Sequence, residues 1–451
     1  MKHTHRIINE NMLKLVLRFS VPMVLAFLVQ SAFNIVDTIF LGRISHHALA
    51  AASLMFPIIL VFIAVGAGIG VGTNSLVSRY LGAGKKEKAE QVVAIAYSLA
   101  LVVAILSFVL GQLSAESLFS LMGAEGETLE LASIYAHWLF FATPFFIIGM
   151  TINAIIRATG EFKIPTIFMA SGAIINIFLD YVLIFGKFGF PALGVQGAAL
   201  ATVIARFVPF VLAFWYLLKK VHINLNPFKL VFKLKIIKKV MYVGFPQTLD
   251  ELLVAVNFFF INRFVAYYGS EALAGFAAVF RLESLALMPA FAISTALVTI
   301  IGHNYGAQRL SRIKSGVKIA SLMMTVIMVS VGIAFFLLAS ILVGFFTDTP
   351  KAIEVGTSFL KIVPFSYLFF GTTIAISSAF KGVGKGHPSL VLNIVRMFGI
   401  SIPFAFILSR FTSLQIQGIW IAMMVSNVVP FFIAIIWFRS WLSKKEQEVG
   451  V

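Results

Sequence analysis

The sequence contains no cysteine, which excludes disulfide frameworks, thiolate catalysis and cysteine metal sites. Charge is also scarce, since only 12% of the 451 residues are Asp, Glu, Lys or Arg, whereas 60% are apolar. Acidic residues are the rarer kind, 18 against 35 Lys and Arg, and the formal net charge is +17. Such a chain is typical of integral membrane proteins and not of soluble domains. The first apolar run continues into a full span, so we expect no cleaved signal peptide.

Apolar runs separated by Gly, Pro or charged residues predict twelve transmembrane helices. The basic residues are concentrated in the loops after even-numbered spans, which predicts that both termini are cytoplasmic. We expect the protein to lie in the plasma membrane. The basic excess therefore orients the chain, and nucleic acid is not expected as a partner. The predicted spans are 13–42, 47–79, 89–113, 128–158, 164–186, 194–218, 240–267, 271–302, 315–346, 354–380, 388–410 and 416–440.

The two halves of the chain are copies of each other. Pro22 matches Pro246 and Gly160 matches Gly384, each at an offset of 224 residues. Six spans per copy is an even number, so the copies share one orientation and are expected to be related by an axis along the membrane normal. The prediction is an all-α membrane protein with six-helix bundles at 1–218 and 240–451, joined by a basic cytoplasmic linker at 219–239. That linker either orients the chain or also lies on anionic lipid.

The first predicted span carries polar residues on one face. Gln30, Asn34 and Asp37 follow one another at i, i+4 and i+7, which places them on the same side of a helix. A carboxylate in hydrocarbon costs roughly 3 kcal/mol on insertion scales, so Asp37 must face protein or a watery cavity. Pro22 lies inside the same span, and a proline removes a backbone hydrogen bond, which marks a point where the helix can bend.

A second polar group lies at a similar depth in spans 5 and 6. Counting about 1.5 Å per residue places Asp37, Asp180 and Thr202 roughly 8 to 12 Å inside the outer boundary, and Asn176 lies one turn from Asp180. Two carboxylates, an amide and a hydroxyl can hold a proton or coordinate Na⁺ with hard oxygen ligands. The alternative is a pair of neutral, hydrogen-bonded acids without a transport role.

The second copy lacks this polar set, since apolar residues occupy the positions that match Gln30, Asn34 and Asp37. If the set merely stabilised a bundle of this shape, the second bundle would need it too. The second half instead has Asp250, Glu251, Arg281 and Glu283. These residues form either charge-cancelling buried pairs or a second site that contacts the coupling ion or the substrate.

The sequence resembles the multidrug and toxic compound extrusion (MATE) family over essentially its whole length, and within it the DinF-like and archaeal branch. The resemblance rests on SVPMVLAFLVQSAFNIVDTIFLG, SRYLGAGKKEKAEQ, IIRATGEFKIPTIFMASGAIINIFLDYVLIF and GVQGAALATVIAR. It implies a monomeric antiporter among membrane lipids that exports organic cations and other amphipathic small molecules in exchange for H⁺ or Na⁺. No enzymatic activity and no cofactor besides this coupling ion are expected.

The resemblance also implies roles for individual residues. Pro22 is the bending point of the first helix. The H⁺ or Na⁺ site comprises Asp37, Asn176, Asp180 and Thr202, and the residues bordering the substrate cavity are Gln30, Asn34, Tyr135 and Asn153. Span 10 has no acid, so the complete second-half Na⁺ site of the NorM-like branch is not expected.

Three alternative functions are disfavoured. A lipid-linked sugar flippase would need arginine-rich charge in its central cavity, and we expect no mid-span arginine in the first half. An intramembrane aspartyl protease would need a Tyr-Asp or Gly-x-Gly-Asp setting, whereas Asp37 follows Val and Asp180 follows Leu. An ion channel would need a continuous charged pore.

Overall fold

The computed structural model describes residues 2–221, 226 and 230–449, and in these residues the regular secondary structure is helical throughout. A 3₁₀ turn at Val363–Ser366 joins α12 to α13, and a π-helical segment at Val395–Ser401 joins α14 to α15. The α-helices are α1 (Lys2–Asn9), α2 (Met12–Gly42), α3 (His46–Gly82), α4 (Lys86–Leu121), α5 (Gly126–Ala158), α6 (Lys163–Phe185), α7 (Gly194–Lys220), α8 (Leu234–Ala266), α9 (Ser270–Gly306), α10 (Leu310–Leu337), α11 (Ala339–Gly344), α12 (Pro350–Ile362), α13 (Tyr367–Val383), α14 (His387–Ile394), α15 (Ile402–Phe411) and α16 (Ile416–Val449).

By length and composition, eleven helical stretches in the described residues can cross a membrane. They correspond to the predicted spans with one exception, the seventh, whose place is taken by α8. That helix has 33 residues and is long enough to cross, but Asp250, Glu251 and Arg263 lower its apolar character. The prediction of an all-helical, multi-pass membrane fold is confirmed.

The chain packs as two units. The N-terminal unit comprises the described residues of Pro22–Thr248, and the C-terminal unit comprises those of Met1–Val21 and Leu249–Val451. The chain changes unit inside α2, directly before Pro22, and again inside α8, shortly after Pro246. Both changes therefore occur at the matched prolines of the repeat, where a missing backbone hydrogen bond makes a helix easiest to bend.

The predicted bundle boundaries stay a prediction. Residues 222–225 and 227–229 of the expected linker at 219–239 lie outside the described residues. Within the same stretch, α7 continues to Lys220 and α8 already begins at Leu234.

In the N-terminal unit, glycines hold the first half of α8 against α3. A Cβ atom on Gly68 would overlap the carbonyl oxygen of Gly244, and one on Gly72 would overlap the carbonyl oxygen of Val240. Small residues let two helix backbones approach closely, which is the usual basis of helix association in membranes. The close approach explains why the α8 segment before Leu249 belongs to this unit.

In the C-terminal unit, aromatic packing and one arginine hold the elements together. Trp420 is fully buried, stacks on Phe276 with ring centroids 5.5 Å apart, and donates its indole N–H to the Ser358 hydroxyl at 3.0 Å. The Arg312 side chain donates to the backbone carbonyls of Ile7 at 3.1 Å and Glu10 at 2.7 Å. These two hydrogen bonds attach α1 and the start of α2 to this unit.

Candidate functional site

The centre of the candidate site is the pair Asn176 and Asp180 on α6. Both side chains are buried, with 1% and 0% exposure, and their spacing of one turn places them on the same helix face. In the amide orientation that satisfies both neighbours, Asn176 Nδ2 donates to Asp180 Oδ2 at 2.7 Å. The amide therefore holds the carboxyl group in a fixed position.

Thr202 completes this part of the site from α7. In the same amide orientation, its backbone N–H donates to Asn176 Oδ1 at 3.2 Å, and its hydroxyl lies 3.4 Å from that amide atom. Gly172 and Gly197 permit the close packing of α6 and α7, because a side chain at either position would overlap backbone atoms of the other helix. Asn176, Asp180 and Thr202, expected together from the sequence, are thus in contact.

Asp37 on α2 and Tyr135 on α5 lie close enough to interact electrostatically with this group. Asp180 interacts with Asp37, and the buried Tyr135 interacts with both carboxyl groups. One oxygen of each acid, Asp37 Oδ1 and Asp180 Oδ1, is buried without a hydrogen-bond partner. Buried polar atoms are normally paired, so these two oxygens are the atoms available to a proton or a metal cation. We call Asp37, Tyr135, Asn176, Asp180 and Thr202 the acid cluster.

Arg206 also lies near the acid cluster and was not among the residues expected there. This residue lies near the middle of α7, so the expectation that the first half has no mid-span arginine is wrong. Its guanidinium lies 4.6 Å from the centroid of the Phe146 ring and interacts electrostatically with Asp37 and Tyr135. The signal was present in the sequence, since Arg206 follows Thr202 by one helical turn.

The other residues expected at the substrate cavity lie outside the acid cluster. Gln30 Nε2 donates to Asn34 Oδ1 at 3.3 Å. Both residues lie on α2, before Asp37 in the chain. Asn153 follows Tyr135 on α5 by 18 residues, which is about 27 Å along a helix. Its Oδ1 atom is buried without a partner, as is Nε of Arg157 one turn further on.

The second-half polar residues form a different arrangement from the expected pairs. Asp250 accepts a hydrogen bond from Ser389 at 2.7 Å and pairs with Lys381, whose Nζ lies 3.4 Å from Oδ2. Arg281 is exposed, and among the described residues it forms no ion pair with Glu283. Glu251 is half-buried on α8. Of the two alternatives, a charge-cancelling buried pair of Arg281 with Glu283 is not present in the described residues, because Arg281 is exposed.

Repeated membrane-spanning helices with acidic groups buried among them define an integral membrane transporter. The MatE family model matches the chain twice, at residues 22–182 and 246–407, and the protein belongs to this family of multidrug and toxic compound extrusion transporters. The two matches begin at the two prolines that the internal repeat had already paired. The assignment to the DinF-like and archaeal branch stays a prediction.

Relatives and solved structures agree with the family over nearly the whole chain. The chain is 29% identical to the probable multidrug resistance protein YoeA of Bacillus subtilis, covering 95% of this chain and 94% of that protein. It is 28% identical to a FAD transporter of Shewanella oneidensis, covering 95% of each. A crystal structure of MATE in the bent conformation superposes with a TM-score of 0.93 at 27% identity and covers 100% of both chains. Members of the family are membrane transporters of small molecules.

Proposed function

We propose that the protein is a secondary antiporter of the plasma membrane that exports organic cations and other amphipathic compounds in exchange for H⁺ or Na⁺. The observation that carries the proposal is the acid cluster, in which Asp37 Oδ1 and Asp180 Oδ1 are both buried without a partner. An unsatisfied oxygen pair inside membrane-spanning helices costs stability. Binding a cation at these oxygens offsets that cost.

The charges of the cluster support a single monovalent cation. Two ionised carboxyl groups contribute two negative charges, and Arg206, which interacts with Asp37, contributes one positive charge. One proton or one Na⁺ therefore makes the group electrically neutral. Hard oxygens from carboxylate, amide and hydroxyl groups suit either ion, so the charges do not distinguish them.

Exchange follows if the ion and the substrate prefer different states of the protein. With both acids ionised, the acid cluster together with Arg206 carries one net negative charge, which attracts an organic cation. Arrival of H⁺ or Na⁺ removes that charge and weakens the attraction, so the substrate is released. Each positive charge that moves inward supplies about 2.3 kcal/mol per 100 mV of membrane potential.

Pro22 is the proposed bending point of α2 during this cycle. Its carbonyl oxygen accepts a hydrogen bond from the Thr166 hydroxyl of α6 at 3.0 Å, and the chain changes unit directly before it. Neutralising Asp37, which lies on the same helix, would alter the balance between straight and bent forms. The related MATE structure described as bent supports this step by likeness alone.

Orientation, oligomeric state and substrate range belong to the same proposal. The distribution of Lys and Arg among the loops supports cytoplasmic termini, and we propose that the protein acts as a monomer among membrane lipids. Its relatives are named for multidrug resistance and for FAD transport. This range supports a broad class of amphipathic substrates over one compound.

The test is efflux of a fluorescent organic cation from proteoliposomes under imposed pH or Na⁺ gradients. Asp37→Asn and Asp180→Asn are each expected to abolish gradient-driven efflux, because the cluster then loses a cation ligand. Asp348→Asn is the matched control, since this acid is exposed in the loop after α11 and its loss should leave efflux unchanged. Full activity of both cluster variants would refute the site. Stimulation by Na⁺ alone would exclude proton coupling.

A further inference from the structure

Arg396 is a charged residue inside a membrane-spanning stretch. It lies in the π-helical segment Val395–Ser401, well inside the span His387–Phe411, and it is half-buried. In the described part of the chain its side chain makes no hydrogen bond and no ion pair. An arginine at such a depth costs roughly 2.5 to 3.5 kcal/mol on insertion scales, and residues of this kind mark functional sites by default.

The guanidinium of Arg396 lies over an aromatic ring. The Cζ atom lies 5.3 Å from the centroid of the Phe370 ring, which is within the range of a cation–π contact. A cation–π contact uses no N–H donor of the guanidinium, and these donors form no hydrogen bond in the described residues. They form the planar fork that matches a carboxylate or a phosphate in a bidentate manner.

The neighbouring acids do not occupy this fork. Asp250 and Glu283 both interact with Arg396 electrostatically, but Asp250 is already bound by Lys381 at 3.4 Å and Ser389 at 2.7 Å. Glu283 accepts a long hydrogen bond of 3.5 Å from the Tyr367 hydroxyl. Lys381 offsets Asp250, so Glu283 is the acid that interacts with Arg396 electrostatically and forms no ion pair with a basic residue in the described part of the chain.

The N-terminal unit has a guanidinium at the corresponding place. Phe370 matches Phe146 at the repeat offset of 224 residues, and Arg206 lies over Phe146 at 4.6 Å. The two arginines come from non-equivalent helices, because the residue 224 positions before Arg396 is Gly172. The equivalent ring thus lies beneath a guanidinium in both copies, although the two arginines come from different helices. In the N-terminal unit that guanidinium interacts with Asp37 of the acid cluster.

We propose that Arg396 binds the carboxylate of amphipathic aromatic substrates, with Phe370 beneath the guanidinium and Glu283 near the substrate's cationic group. The subsite rests on the proposed export function and extends it to zwitterionic compounds. It lies wholly within the C-terminal unit and requires no residue of the acid cluster. Bound carboxylate satisfies the donors of Arg396, and the amine of the same molecule offsets Glu283.

The test is equilibrium binding to the purified protein, measured by fluorescence polarisation, of a xanthene dye with a free carboxylate and of its methyl ester. The two dyes differ in charge at one position and are otherwise matched. A hydrogen-bonded charge is worth about 10-fold to about 100-fold in affinity. Arg396→Gln is therefore expected to weaken binding of the free carboxylate by at least about 10-fold and to leave the ester within about 2-fold. Arg396→Lys, which keeps the charge but not the fork, should give an intermediate loss.

Arg410→Gln is the matched control, because Arg410 lies over Tyr267 at 3.4 Å in the last turn of α15 and should not affect the preference between dyes. An equal loss for both dyes in Arg396→Gln would show a structural role and overturn the proposal, as would no loss for either. Repeating the measurement in nanodiscs of phosphatidylcholine and of phosphatidylglycerol tests a lipid phosphate as the occupant. One outcome is that phosphatidylglycerol competes with both dyes equally and that Arg396→Gln abolishes this competition. This result would assign the guanidinium donors of Arg396 to a lipid phosphate and overturn the substrate subsite. This binding measurement needs no ion gradient. Its outcome therefore does not depend on whether the proposed antiport is correct.

Discussion

The hydrogen bond from Thr166 to the carbonyl of Pro22 is expected to restrain α2 at the position where the chain changes unit. The Thr166 hydroxyl lies 3.0 Å from that oxygen and also 3.0 Å from the carbonyl oxygen of Phe162 in its own helix. Thr166→Val keeps the branched shape of the side chain and removes the donor. The helix on either side of Pro22 should then open more often.

The size of this effect follows from measured hydrogen bonds between membrane helices. These contribute on average about 0.6 kcal/mol and at most about 1.7 kcal/mol. Such energies correspond to an equilibrium shift of about 3-fold to about 20-fold. Pro22 already lacks a backbone N–H, so the carbonyl one turn earlier has lost its helical partner.

Hydrogen–deuterium exchange of the α2 amides on both sides of Pro22, in nanodiscs, measures the opening directly. Exchange in Thr166→Val should rise about 3-fold to about 20-fold. Thr38→Val is the control, because its hydroxyl donates only to Asn34 of the same helix, at 2.8 Å. Unchanged exchange near Pro22 in Thr166→Val, or an equal rise there in Thr38→Val, would refute the reasoning.

Two further changes test the contacts of the C-terminal unit. Arg312→Ala removes both hydrogen bonds to the backbone around α1, each worth about 1.5 to 3 kcal/mol. Tryptic cleavage after Arg6 should therefore be at least about 10-fold faster, whereas the control Arg309→Ala should not change the cleavage rate. Equal rates in the two variants would contradict the role of the contact. Trp420→Ala leaves a cavity in the core and should lower the free energy of unfolding, measured by thermal denaturation, by about 3 to 5 kcal/mol. Trp215→Ala is the control and should change this free energy little, because the Trp215 side chain is 52% exposed. A similar loss in both variants would contradict the buried role of Trp420.

The candidate site was predictable where its chemistry has a helical period. Asn176 and Asp180 are one turn apart in an apolar segment, and the cost of a buried carboxylate requires a partner, so their grouping follows from local geometry. Arg206 likewise follows Thr202 by one helical turn and therefore lies on the same face of its helix. Its role was nevertheless not predictable, because its interactions, with Phe146 and Asp37, are with residues of other helices that are distant in sequence.

The second-half residues show the limit of such reasoning. Arg281 and Glu283 are two positions apart, and residues with that spacing do not face each other on a helix, so their pairing was a poor expectation. Lys381 directly follows the predicted span 354–380 and so falls in one of the basic loops expected to orient the chain, yet its side chain is only 14% exposed and binds Asp250 of another helix. Nothing local to either residue indicates a partner more than a hundred positions away.

The amino-acid sequence by itself determined the membrane-spanning helices, the duplication and the polar faces, because apolar length, repeat offset and helical period act along the chain over short distances. Only the tertiary structure decided which charges meet. Lys381 pairs with Asp250, and Arg206 and Arg396 lie over the matched rings of Phe146 and Phe370. The first segment of α2 packs with the C-terminal unit. These contacts depend on the packing of helices that are distant in sequence, and helix rotation and depth are set by all the neighbours of a helix together.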